Sequence, residues 1–270
     1  MEITNHQLSG DTVTARMLAH YGKVIVPRFI VVHYTAGGSA ESSIAALDNA
    51  KLSAHVVLAR EGRIFQCVPF DRRAFHAGES QWQGYTDLNT HSIGIEVCNY
   101  GWLNKRGDGK YQRAGATPAF APEQVILADH KFGTPRGVGW EVYPEAQIQV
   151  LFALCRTLLE VYPTIIGIVG HDDISPGRKQ DPGPAMPMAM LQTLCDRPRD
   201  ETNRANYVVA ARAGLNVRSG PGSNHAVVKV LASGTRLIVL QRSEPWCAID
   251  LQGDGAIDGY VHGSFLRAEH

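Results

Sequence analysis

Residues 196–205, DRPRDETNRA, are charged, carry a proline and hold almost no apolar side chain, so no packed core can run through them. They read as a linker. The chain must therefore fold as two pieces, each round its own core: about 195 residues with mixed helix and strand signals, then about 65 with only short strand signals. Hydrophobic residues at 44% and charged residues at 19% fit globular domains and exclude wholesale disorder. The shorter piece lies near the lower size limit for independent folding.

In the long piece, FIVVH (29–33), SIGIEVC (92–98) and TIIGIVGH (164–171) are β-branched runs that read as buried strands. AHVVLAR and RIFQCV, separated by Glu61-Gly62, predict a β-hairpin. SSIAALDNAK (42–51) reads as a helix, and Pro122 is expected to open another, PEQVILADHKF. From 144 to 161, Ile148, Leu151, Phe152, Cys155, Leu158 and Leu159 follow i, i+3, i+4, i+7 spacing and predict a strongly amphipathic helix. A last helix is expected over PMAMLQTLC (187–195). Strands alternating with helices imply an α/β fold with a mixed central sheet flanked by helices. The tail segments YVVAA, GLNVRSGPG, AVVKVL, TRLIVL, WCAIDL and DGYVHGSFL, broken by Gly- and Ser-rich turns, predict a small all-β barrel.

Charge and cysteine content exclude several functions. Lys+Arg and Asp+Glu both number 26, so the chain lacks the footprint of a nucleic-acid or anionic-membrane binder. No apolar run approaches the ~18 residues of a membrane span. The start, MEITNHQLSGDTVTARML, has no basic region followed by an apolar core and does not read as a secretory signal. The five cysteines are odd in number and form no CxxC pair, which argues for buried apolar thiols rather than disulfides or a Cys-rich zinc site. Oligomeric state leaves no mark in the sequence.

Of the eleven histidines, His6, His20, His225 and His270 read as surface residues, whereas His33 and His171 each close a predicted strand. Loops diverge at strand ends, and ligand sites of α/β sheets favour them. Taken singly, each also reads as an ordinary hydrogen-bonded histidine. After His171 the chain runs DDISPGRKQDPGP, and a loop of that length can bring Asp181 back to His171. Two neutral imidazoles and one carboxylate suit zinc with an open fourth position, and the lack of a carboxylate cluster argues against Mg²⁺ or Ca²⁺. Glu96 shares a strand face with Ser92 and Gly94, opposite Ile93, Ile95 and Val97, and is a candidate base. Lys179 is a candidate oxyanion holder. A strand salt bridge and a plain loop lysine are the alternatives.

VVHYTAG, SAHVVL, FHAGES, LNTHSIGIEVCN and GHDDISPGRKQDPG, in this order from about residue 27 to 195, resemble the zinc-dependent N-acetylmuramoyl-L-alanine amidases, whose fold is shared with peptidoglycan recognition proteins. The resemblance implies zinc ligands His33, His171 and Asp181, Glu96 acting on water, and Lys179 stabilising the transition state. It further implies hydrolysis of the amide between the lactyl group of N-acetylmuramic acid and L-alanine. His55, His76 and Asn89 are then expected at the substrate groove. The match is not complete. His33 is followed by Tyr34 where many relatives have a second His, and Ala54 precedes His55 where a phage branch has Tyr, so Glu96 must be the base. Residues 100–140 hold an insertion expected to cap a groove. The tail, 206–270, resembles a bacterial SH3-like domain, which implies a cell-wall ligand. Arg218, Trp246 and Tyr260 either line its groove or complete its core. The combined expectation is a peptidoglycan or muropeptide amidase of 1–195, a linker, and a wall-binding tail. Its site of action would be the wall, reached after lysis or by specialised export. A non-catalytic recognition protein and a metallopeptidase acting within the stem peptide are the alternatives.

Overall fold

In the computed structural model the chain divides into two compact units, Met1–Cys195 and Asp196–His270. The structure describes residues 1–113, 117–195, 205–211, 213–243, 245–251 and 257–269. The stretch read as a linker lies outside these, apart from residue 205.

The first unit is built on a six-stranded sheet: β1 (Val13–Ala15), β2 (Phe29–Tyr34), β3 (Val56–Leu58), β4 (Ile64–Gln66), β5 (Ser92–Val97) and β6 (Gly167–Gly170). Their spatial order is β6-β2-β5-β3-β4-β1. The β3–β4 pair is the expected antiparallel hairpin, and the other neighbours run parallel. The sheet is therefore mixed. Because β2, β5 and β6 run together, their carboxyl ends lie on one edge, where loops leave room for a site.

Helices α1 (Ala40–Asn49), α2 (Glu145–Val161), α3 (His171–Ile174) and α4 (Met188–Gln192) complete this frame. The apolar stripe of α2 is buried through Leu151, Leu154, Cys155, Leu158 and Leu159 against Ile30, Val32, Ile93, Ile95 and Val97. Period-2 alternation turns the other residues of β2 and β5 away from α2. There Phe29 and Val31 pack with Ala77, Leu88, Val169 and Ile174, and His33 and Glu96 follow at the strand ends. Gln147 pins the first turn of α2, donating to the carbonyls of Leu58 and Cys98.

The helix expected from Pro122 does not form. Pro122–Gln124 is a single 3₁₀ turn, and Val125–Leu127 is a strand paired with Gly139–Glu141. Val-Ile-Leu is too short a run for periodicity to separate strand from helix, and a partner strand decided it. These strands, with Trp102–Lys105 and Tyr111–Gln112, form a four-stranded antiparallel sheet within the insertion. The insertion buttresses the segment that follows β6. His130 Nε2 donates to Asp172 Oδ2 at 3.0 Å while its ring stacks on Trp140. Lys131 reaches Asp172 and Asp173 at 3.0 and 2.6 Å. Gly183, at φ +73°, lies so close that a Cβ would stand 2.4 Å from the Trp140 ring. Both the left-handed backbone and the ring demand glycine there.

The tail forms a seven-stranded antiparallel sheet, in the order 227–231, 215–218, 259–262, 246–250, 236–243, 205–209, 266–268. Val209, Leu215, Val217, Leu231, Leu237, Val239, Cys247, Ile249 and Val261 make its core. This agrees with the all-β, SH3-like expectation.

Candidate metal centre

Three side chains meet at the carboxyl edge of the first sheet. His33 is the fifth residue of β2, His171 is the residue after β6, and Asp181 returns from the loop after α3. His171 opens a helical turn rather than ending a strand. Parallel pairing of β6 with β2 brings the two histidines together, and the Asp172 N–H, donating to the Asp181 carbonyl at 2.8 Å, draws the loop back. The Nδ1 atoms of His33 and His171 lie 2.8 Å apart, and Asp181 Oδ2 is 3.0 and 2.9 Å from them. All three residues are buried.

The donor chemistry fits a cation. His171 Nε2 faces the Ala77 carbonyl at 3.0 Å, and a carbonyl can only accept, so the His171 hydrogen sits on Nε2 and Nδ1 is bare. Two imidazole nitrogens 2.8 Å apart can share at most one proton. Burial, then the neighbouring His171, lowers the His33 pKa to about 4, against the pull of Asp181. Burial alone would raise the Asp181 carboxyl, but the two adjoining imidazoles outweigh it and hold the group well below the usual carboxylate range. The site thus presents two neutral nitrogens and an anionic oxygen, the donor set of a mononuclear zinc centre.

Glu96 is His33's register partner on β5, so the two project from neighbouring strands to the same face. Burial, and then Asp181, raise its pKa well above the ordinary carboxyl value, with Lys179 opposing. Its Oε2 is buried and has no hydrogen-bond partner among the described residues. Glu96 and Lys179 line a cavity of about 430 Å³ together with His33, His171, Asp181 and Tyr34. Phe75, His76 and Arg113 also line it. Burial and Asp181 push the Tyr34 phenol up to about 12.

The remaining expected groove residues fall in different places. His76 borders the cavity, and its Nδ1 lies 2.9 Å from His33 Nε2. His55 is fully buried: its Nδ1 accepts the Gly94 N–H and its Nε2 donates to the Arg72 carbonyl, so the ring staples β5 rather than facing the cavity. Asn89 is buried, with Oδ1 accepting the N–H groups of His76 and Ala77. Sequence reasoning missed two arginines. Arg113 brings the insertion to the cavity wall, its guanidinium over the Tyr34 and Trp102 rings. Arg178 donates to the carbonyls of Ala77 and Glu79 and to Ser175 Oγ, tying the two loops beside the site. Neither has a sequence signal, since each acts through long-range contacts.

In the tail, Arg218 pairs with Tyr260 and Trp246 with His262 across neighbouring strands. Alternation sets Trp246 and Tyr260 on the face opposite Cys247, Ile249 and Val261, outside the core.

Two histidines at adjoining strand ends and an aspartate from a return loop, with Glu96 alongside, form a group that could hold a metal ion. The family profile for N-acetylmuramoyl-L-alanine amidase matches residues 23–184, and that for the bacterial SH3 domain matches 213–267. This chain belongs to the N-acetylmuramoyl-L-alanine amidase family. It is 33% identical to the N-acetylmuramoyl-L-alanine amidase AmiD of Escherichia coli over 196 residues, 69% of this chain and 59% of AmiD. It is 34% identical to the 1,6-anhydro-N-acetylmuramyl-L-alanine amidase AmpD of the same organism, over 60% of this chain and 69% of AmpD. A crystal structure of a selenomethionine derivative of AmpD aligns at 26% identity with a TM-score of 0.49, covering 72% of this chain and 99% of that one. No helix among the described residues is long and apolar enough to cross a membrane.

Proposed function

We propose that the first unit hydrolyses the amide between the lactyl group of N-acetylmuramic acid and L-alanine in peptidoglycan or its fragments, with zinc held by His33, His171 and Asp181. The observation that carries this reading is the placement of Glu96, with its unpartnered carboxylate oxygen, one strand over from three metal-type donors that lie within 3.0 Å of one another. Family membership supports the choice of amide. Zinc, when bound, supplies Lewis acidity that polarises a carbonyl and acidifies water.

The chain's own residues do the rest. Glu96 takes a proton from the attacking water as its oxygen bonds to the lactyl carbonyl carbon. Its raised pKa suits it to hold that proton and deliver it to the alanine nitrogen as the C–N bond breaks. Lys179, on the cavity wall, places an ammonium group where negative charge grows on the carbonyl oxygen. The face carrying the half-buried Arg218, Trp246 and Tyr260 is the wall-binding surface of the tail.

Digestion of purified muropeptides tests the reaction. Free sugar and peptides beginning with L-alanine are expected. Cuts within the peptide would make it a metallopeptidase, and binding without cleavage a recognition protein.

A further inference from the structure

The metal-facing nitrogens of His33 and His171 stay bare only while something holds the outer nitrogen of each ring. Those two outer partners are consecutive residues. His33 Nε2 lies 2.9 Å from His76 Nδ1, and His171 Nε2 lies 3.0 Å from the Ala77 carbonyl. The first contact can be read from its far end. The Ser92 hydroxyl donates its one proton to the Leu88 carbonyl at 2.6 Å. Ser92 Oγ, 3.4 Å from His76 Nε2, is therefore an acceptor, and the His76 hydrogen sits on Nε2. A neutral His76 then presents a bare Nδ1, which accepts from His33 Nε2–H. His33 Nδ1 is left bare toward His171 and Asp181.

Two features hold this dipeptide in place. Asn89 Oδ1 accepts the His76 N–H at 2.9 Å and the Ala77 N–H at 2.8 Å, so one carboxamide fixes both outer partners. Gly94 lets the His76 ring lie against bare strand, where a Cβ would come within 2.5 Å of it. Both His76 and Asn89 are buried.

We propose that His76 and Asn89 are positioning residues of the metal centre. His76 sets the tautomer of His33, and Asn89 sets the His76–Ala77 dipeptide that supports both ligand rings. Neither is a substrate contact. This rests on the reading of His33, His171 and Asp181 as metal ligands.

The test is Zn²⁺ affinity of the full-length chain, measured by competition with a chromophoric chelator, alongside KM on a soluble muropeptide. His76→Phe keeps a ring but removes the acceptor, and Asn89→Leu does the same for the carboxamide. Each is expected to weaken zinc binding about 10–100-fold. His76→Asn and Asn89→Asp restore an acceptor oxygen and should recover most of the loss. Unchanged zinc affinity with a raised KM in His76→Phe and Asn89→Leu would overturn the proposal and return both residues to the substrate groove. Should those two variants fail to fold, ¹⁵N NMR of the metal-free wild type decides: His33 as the Nε2–H tautomer supports the assignment, and the Nδ1–H tautomer overturns it. A wild type that takes up no zinc would instead overturn the ligand reading.

Discussion

In the α/β unit His33, His55, His76, His130 and His171 are all buried, with Glu141, Asp172 and Asp181 beside them. In the tail, Asp250 is the one buried polar side chain among the described residues. Polar groups are expensive to bury, so a fold retains them where each finds partners. In the first unit those partners join the cavity to the sheet, the insertion and the 76–91 loop. The tail keeps its core cluster apolar and sets Arg218, Trp246 and Tyr260 on the opposite face. One unit buries partnered polar groups, and the other turns nearly all of its own away from an apolar core.

The sharpest break in this contrast is Asp181→Ala, which should lose zinc and hydrolysis together, because two protein ligands remain. Mass spectrometry after desalting and a muropeptide assay measure both, and a metal-replete active variant would sink the ligand assignment. Glu96→Gln should keep zinc while turnover falls about 10²–10⁴-fold. Near-normal turnover would remove Glu96 from the mechanism. Ile249, fully buried in the tail, gives the converse case. Ile249→Ala should destabilise the tail by about 2–5 kcal/mol in urea unfolding and leave hydrolysis of small soluble fragments intact. A parallel loss of zinc affinity would show the contrast to be false.

The most gradual effect is on pH dependence. Burial lowers the His55 pKa to about 4 from an ordinary 6.5. Between those values the unfolded chain binds the proton and the folded one does not, so stability is intact above pH 6.5 and falls with acidity through pH 4. The loss reaches about 3 kcal/mol. Urea titrations of metal-free protein across this window check it. His55→Gln, whose side chain does not titrate there, should reduce the slope and leave the part due to His33.

The strands, the α2 stripe and the change of composition near 196 were legible because each is a local pattern. His33, His171 and Asp181 were reachable as a set because two strand ends and one return loop are themselves local signals. The role of His55 was not legible. Sequence marks a histidine just before an apolar strand, but the Gly94 amide and Arg72 carbonyl that take its nitrogens come from elsewhere in the fold. The expected helix at 122–132 failed for the same reason: Val125–Leu127 took its form from Gly139–Glu141. Likewise, nothing in the insertion's own residues announces that His130 and Trp140 brace the segment 171–183.

Because neighbouring residues 76 and 77 grip both imidazoles, the two cannot loosen one at a time. Loss of the Asn89 carboxamide should register in both rings at once, with the amide hydrogens of His76 and Ala77 beginning to exchange with solvent in unison.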